Sequence, residues 1–118
     1  TRVAFLESDW GENLSGLFDC ILANPPYILS DDIDGLAPEV ARFEPRLALD
    51  GGIDGLDCYR ALSKDVKRLL APGGKAFFEI GEGQAPEIGG ILEAANLRVV
   101  RSVADLGAHI RCLIAQHY

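Results

Sequence analysis

The chain has 118 residues, 48% of them hydrophobic and 25% charged. That is an ordinary globular composition; it excludes a disordered chain and leaves room for one domain. Its 11 Lys and Arg stand against 18 Asp and Glu, a net charge of −7, which disfavours nucleic acid or a membrane surface as a direct partner, since clustered cations hold both.

Val3 to Leu6 is a short apolar run that reads as a first strand, ended by the turn signal Ser8-Asp9-Trp10-Gly11. Phe18 to Ala23 is a second apolar run, and Asn24-Pro25-Pro26 must end it, because proline cannot donate to a sheet ladder. Residues 28 to 55 are rich in Asp, Gly and Pro and predict a long loop, with one short helical turn near Pro38 to Arg42. From Leu56 to Leu70 apolar residues recur at helical spacing, with Asp54 or Gly55 as start signal and Pro72-Gly73-Gly74 as stop. Lys75 to Ile80 predicts a buried strand and Pro86 to Asn96 a helix, with Asn96 as its C-terminal cap. Leu97 to Val103 and Ile110 to Gln116 predict two closing strands.

Alternating strands and helices predict an α/β fold with a mainly parallel sheet. The last two strands have no helix between them and are expected to pair antiparallel at one edge. No apolar stretch approaches the roughly 20 residues of a membrane-spanning helix. Cys20, Cys58 and Cys112 form no C-x-x-C and lie far from one another in sequence, and neither His109 nor His117 is near a cysteine pair. No metal site is expected, and the thiols read as reduced, mostly core filler, in a cytoplasmic protein.

Ligands of such sheets bind beyond the carboxyl ends of the strands. Three segments leave strands there: Ser8-Asp9-Trp10, Asn24-Pro25-Pro26-Tyr27, and Glu79-Ile80-Gly81-Glu82. The Asn-Pro-Pro-Tyr tetrad is the sharpest signal. As a plain turn it would need nothing more, but its chance occurrence is about 10⁻³ in a chain of this length. Its chemistry suits a planar NH₂ group. The side-chain carbonyl of Asn24 can accept one N–H and the rigid carbonyl of Pro25 the other. Tyr27 offers an aromatic face for the planar group. Such a site orients and polarises a weak nitrogen nucleophile and needs no charged base.

Beyond the tetrad, the chain closely resembles the peptide-chain release factor glutamine N5-methyltransferases. The resemblance runs through Ser8-Asp9-Trp10, Phe18-Asp19, Asn24-Pro25-Pro26-Tyr27-Ile28, Phe43-Glu44-Pro45 and Ala48-Leu49. It continues through Gly51-Gly52-Ile53-Asp54-Gly55-Leu56, Tyr59-Arg60, Pro72-Gly73-Gly74, Glu79-Ile80-Gly81 with Gln84, and Asp105-Leu106 with Arg111. The tetrad alone is shared with adenine and guanine amino-methyltransferases; Phe-Glu-Pro and Gly-Gly-Ile-Asp-Gly-Leu are narrower markers. One departure is Gly107-Ala108, where the family more often carries glycine one position later.

The resemblance implies methyl transfer from S-adenosylmethionine to the glutamine amide of a Gly-Gly-Gln motif in a release factor. It implies that Asn24 and the Pro25 carbonyl hold the amide, with Pro26 stiffening the turn and Tyr27 lining the slot. Asp9 and Trp10 would border the cofactor's adenine, and Asn24 its methionine end. Glu44 and Pro45 would brace the tetrad loop, although Glu44 also reads as a surface partner of Arg42 or Arg46. Glu79 reads either as a supporting site residue or as a strand-end carboxylate.

The implied fold is a partial Rossmann-like class I methyltransferase sheet, strands 3 to 7 of a seven-strand order 3-2-1-4-5-7-6. The glycine-rich cofactor loop and a helical recognition domain are not found in residues 1–118, so the chain is expected to be the C-terminal part of a catalytic domain, inactive and weak in cofactor binding by itself. The free edge of the Phe18 to Ala23 strand is expected to be covered by the chain's own first strand or by a second copy, as a homodimer. Two other readings stay open at this point: an amino-methyltransferase of adenine N6 or guanine N2 in nucleic acid, and a non-catalytic peptide-binding module.

Overall fold

A computed structural model describes residues 2–36 and 45–118. Its regular elements are β1 (Phe18–Ala23), α1 (Asp57–Leu69), β2 (Leu70–Glu79), α2 (Ala85–Ala94), β3 (Leu97–Ala104) and β4 (Ile110–His117). Short 3₁₀ turns occupy Ser30–Gly35 and Arg46–Ala48. The expected turn at Pro38 to Arg42, and Glu44, lie outside the described residues.

The fold is α/β. Its four strands take the order β1-β2-β4-β3. β1 and β2 are parallel and joined through α1, whereas β4 is antiparallel to both β2 and β3. This is the order expected for the 4-5-7-6 part of the sheet, with the closing antiparallel pair at one edge.

The core lies on one face of the sheet. α1 turns Tyr59, Leu62, Val66 and Leu69 inward, a helical stripe. Tyr59, Leu62 and Val66 meet Ala76 and Phe78 of β2 and Leu113 and Ala115 of β4, each pair two residues apart and therefore on one face. Ile88 and Leu92 of α2 complete the cluster, both fully buried. Asn96 follows α2 at φ 61°, the left-handed position of a helix C-terminus. On the other face Phe77, Cys112 and Ile114 are half-buried and Leu22 is 77% exposed.

Five expectations change. The sheet is mixed rather than mainly parallel, since one of its three strand pairings is parallel and two are antiparallel, the edge pair extending the antiparallel pairing to β2. Val3 to Leu6 is not a strand: it takes no regular secondary structure, and Phe5 is 95% exposed. An apolar run becomes a strand only where a neighbouring strand takes its hydrogen bonds. The chain's own first segment therefore does not cover the free edge of β1. Pro72-Gly73-Gly74 does not stop α1 either. The helix ends at Leu69, and the three residues lie within β2, where the register with β1 jumps between the Phe18–Leu70 and Cys20–Lys75 pairs. Gly73, at φ +78°, makes that irregularity possible. Finally, the cysteines are not core filler: Cys20 is exposed, and Cys58 and Cys112 are half-buried free thiols.

Candidate functional site

β1 delivers Asn24 to the end of the sheet, beside Glu79 at the end of β2. Pro25 is buried, Pro26 and Tyr27 are half-buried, and Asn24 is exposed. Neither the Asn24 side chain nor the Pro25 carbonyl makes a hydrogen bond among the described residues, so both acceptors are available to a ligand.

The loop is held from behind by residues distant in sequence. Gln84 spans two strand ends: its Nε2 donates to the Tyr27 carbonyl at 3.1 Å, and its Oε1 accepts from the Gly81 N–H at 2.9 Å. Glycines let the backbone approach. A Cβ on Gly51 would lie 2.9 Å from Tyr27 Cα and C, and one on Gly55 would lie 2.6 Å from the Tyr27 carbonyl oxygen. A Cβ on Gly81 would lie 2.7 Å from the Tyr27 ring. The segment from Gly51 to Leu56 is thus a seat for Tyr27. Residue 28 is tied to the same segment, since Ile28 N–H donates to Leu49 O at 3.3 Å and Gly51 N–H to Ile28 O at 2.7 Å. Asp50 locks the seat, accepting from Ser30 Oγ at 2.5 Å and Gly52 N–H at 2.9 Å. The Ser30 hydroxyl, then the Gly52 N–H, hold its carboxyl below the ordinary value. Beneath the site, Tyr59 is fully buried and its hydroxyl donates to the Glu79 carbonyl at 2.6 Å. Burial, above all, raises its phenol well beyond the usual range.

Asn24 stands where three cavities meet. The first, of 380 Å³, is mostly apolar and runs from Trp10 and Gly11 past Ile21 to Leu62 and Val66 of α1. The second, of 440 Å³, is lined by Leu22, Phe77, Glu79, Arg111 and Cys112. The third, of 190 Å³, lies between the whole tetrad, Leu49 and Glu79. The last falls below the roughly 300–1,000 Å³ of clefts that enclose drug-sized ligands and suits a single side chain.

Trp10 reaches its cavity from an unusual backbone position, φ 53°. α1 fixes that turn. Gly11 N–H donates to Asp65 Oδ2 at 3.1 Å, and Arg68 donates to the Gly11 and Leu14 carbonyls at 2.8 and 2.9 Å. A Cβ on Gly11 would lie 2.7 Å from Leu69 Cδ1, so the turn sits directly on the helix.

Of the residues singled out in the sequence, Asn24, Pro25, Pro26, Tyr27 and Glu79 come together, and Trp10 shares a cavity with Asn24. Asp9 does not line that cavity; it borders a separate depression with Glu7, Glu12 and Leu47. Pro45 is exposed and precedes the Arg46–Ala48 turn that leads to Leu49. Sequence reasoning gave no role to Gln84, Asp50, Asp65 or Arg68. Their partners lie up to 57 residues away, and only the quotation of Gln84 within the resemblance pointed to any of them. No group of three or more His, Cys, Asp or Glu among the described residues could hold a metal ion.

The chain is similar over nearly its whole length to proteins named release factor glutamine methyltransferase. That of Rhodospirillum rubrum is 50% identical over 98% of this chain and 35% of its own length. That of Caulobacter vibrioides is 47% identical over 97% of this chain and 40% of its own length. That of Bradyrhizobium diazoefficiens is 47% identical over 98% of this chain and 39% of its own length. The chain thus spans well under half the length of the curated relatives it matches. No protein-family model matches it. Among solved structures, the antibiotic-resistance methyltransferase Kmr is similar at TM-score 0.47 and 14% identity, over 91% of this chain and 53% of that one.

Proposed function

We propose that this chain is the acceptor-side part of a cytoplasmic enzyme that transfers a methyl group from S-adenosylmethionine to the side-chain amide of a glutamine in a peptide-chain release factor. The observation that carries the reading is Asn24 at the junction of three cavities, its amide and the Pro25 carbonyl both unengaged, on a loop seated by Gly51, Gly55 and Gln84.

The residues fit such chemistry. The 190 Å³ cavity takes the primary amide. Asn24 Oδ1 accepts one of its N–H groups and the Pro25 carbonyl the other, which fixes the nitrogen and raises its electron density. Tyr27 closes the slot, and Pro25 and Pro26 restrict the backbone so that little freedom is lost on binding. The apolar cavity beside Trp10 opens on the same asparagine from the other side and fits an aromatic, weakly polar group such as adenine. When bound, S-adenosylmethionine supplies an electrophilic methyl group. Asp9 borders a different depression from Trp10.

The test uses the complete open reading frame that encodes this chain, labelled S-adenosylmethionine and a release factor. Transfer to the glutamine of the Gly-Gly-Gln motif is expected, with Asn24→Ala lowering kcat about 10²- to 10³-fold, as for loss of one polarising contact. Transfer to adenine or guanine in nucleic acid in place of the release factor would overturn the reading, and so would release-factor binding with no transfer at all.

A further inference from the structure

The 440 Å³ cavity on the open face of the sheet is not needed for the acceptor amide or for Trp10. Its floor is apolar, with Leu22, Phe77 and Cys112, and its charged residues are one acid, Glu79, and one base, Arg111. Asn24 and Glu79 also line the smaller tetrad cavity, so the two spaces adjoin at these residues.

Arg111 is a built feature. It is the second residue of β4, and its carbonyl accepts from Ile80 N–H at 3.0 Å, which sets it beside the end of β2. Its Nε donates to Asp105 Oδ2 at 3.2 Å. Asp105 is itself fixed by the β3–β4 hairpin, its Oδ1 accepting from Gly107 N–H at 2.8 Å and His109 N–H at 3.0 Å. The two terminal amino groups of Arg111 and the carboxylate of Glu79 have no partner among the described residues.

We propose that this cavity holds the main chain of the protein substrate next to the methyl-accepting glutamine, Arg111 donating to a peptide carbonyl and Glu79 accepting the neighbouring peptide N–H. This deepens, and rests on, the protein-glutamine reading above. The charge balance selects the ligand. Asp105 already opposes the charge of Arg111 and Glu79 adds a second acid, so a phosphate would be repelled, whereas a peptide unit is neutral and offers one acceptor and one donor. The apolar floor suits the small side chains of a glycine-rich segment lying across it. Asp105 is a positioning residue: it holds the Nε side of the guanidinium, which leaves the fork of amino groups directed by a fixed hairpin.

The experiment uses the full-length protein and an intact release factor. Arg111→Ala is expected to raise KM for the release factor about 10- to 100-fold, the size of a lost charge-assisted hydrogen bond, while kcat and cofactor affinity stay within about twofold. Arg111→Lys recovers part of the loss, and Asp105→Asn gives a smaller rise in KM. A second probe is a Gly-Gly-Gln peptide in which an ester replaces the flanking peptide N–H. The wild type binds it more weakly than the amide, and Glu79→Ala does not distinguish the two. If the wild type methylates the release factor but Arg111→Ala leaves KM unchanged, or if Glu79→Ala still prefers the amide, the inference falls and the proposed function stands. If the wild type transfers no methyl to the release factor, both fall.

Discussion

Gly55→Ala separates two causes of strain at the seat of Tyr27. Gly55 has φ +76°, and a Cβ there would lie 2.6 Å from the Tyr27 carbonyl oxygen and 3.1 Å from Gln84 Nε2. Gly83 has nearly the same backbone, φ +79°, with nothing within 4 Å of its Cβ position. The left-handed conformation costs alanine about 1–2 kcal/mol at either site. At Gly55 the clash with a fixed backbone carbonyl adds an overpacking cost of about 1–3 kcal/mol, because no flexible side chain can yield there. Gly83→Ala should therefore destabilise the full-length protein by about 1–2 kcal/mol and Gly55→Ala by about 2–5 kcal/mol. Equilibrium urea unfolding at unchanged m-value measures both. Methyl transfer to a release factor is the second readout. Gly55→Ala displaces Tyr27 and lowers kcat, whereas Gly83→Ala leaves it unchanged. Equal destabilisation within about 0.5 kcal/mol, with equal activity, would refute the assignment of Gly55 as a contact glycine.

Other consequences can be checked in the same way. Gln84→Ala removes both bonds between Gly81 and the Tyr27 carbonyl and should lower stability by about 1–3 kcal/mol, with a fall in kcat that Gln84→Glu, whose carboxylate faces the Tyr27 oxygen, does not restore. Ala108 sits at φ 65° in the β3–β4 hairpin, so Ala108→Gly should raise stability by about 0.5–1 kcal/mol; a lower urea midpoint would count against that turn geometry. Asp50 titrates below its ordinary value of 3.8, chiefly through the Ser30 hydroxyl. In that window the unfolded chain binds more protons than the folded one, so the Asp50 contribution is complete above the ordinary value and fades as pH falls through the lowered one. Ser30→Ala should shrink the acid-side loss of stability between pH 4 and the lower limit of folding, and an unchanged acid limb would contradict this. Tyr59→Phe leaves the Glu79 carbonyl without its buried donor and should cost about 1–1.5 kcal/mol.

What could be read in the sequence was what is local. Phe18–Ala23 is bounded correctly because Asn24-Pro25-Pro26 ends any ladder, α1 is legible by its helical spacing and α2 by its cap at Asn96, and β3 and β4 as apolar runs, whereas β2 begins at Leu70, five residues before the expected Lys75. The tetrad stood out for the same reason, four chemically constrained residues side by side. Val3 to Leu6 failed because strand formation is a property of pairs of segments, and no partner strand lies beside it among the described residues. Pro72-Gly73-Gly74 failed because a breaker and a bulge have the same composition; the difference lies in the register against Phe18 and Cys20. Asp65, Arg68 and Gln84 carry no local signal for their roles, since the backbone partners they hold are 54 to 57 residues away.

The seat of Tyr27 has a consequence in time as well as in space. Everything that fixes the tetrad loop is encoded after it: Gly51 and Gly55 along the chain, then Gly81 and Gln84, the last 57 residues beyond its partner. Helix α1 can form by itself within microseconds, but the loop gains its order only when the chain between Tyr27 and Gln84 has closed on itself and β2 has found β1. In a chain growing from its N-terminus, or refolding from denaturant, the two acceptors of Asn24 and Pro25 therefore take their places only after Gln84 has joined the fold. Recovery of methyl transfer should then lag behind recovery of helix, with the rate of that lag set by the closing of this one long loop.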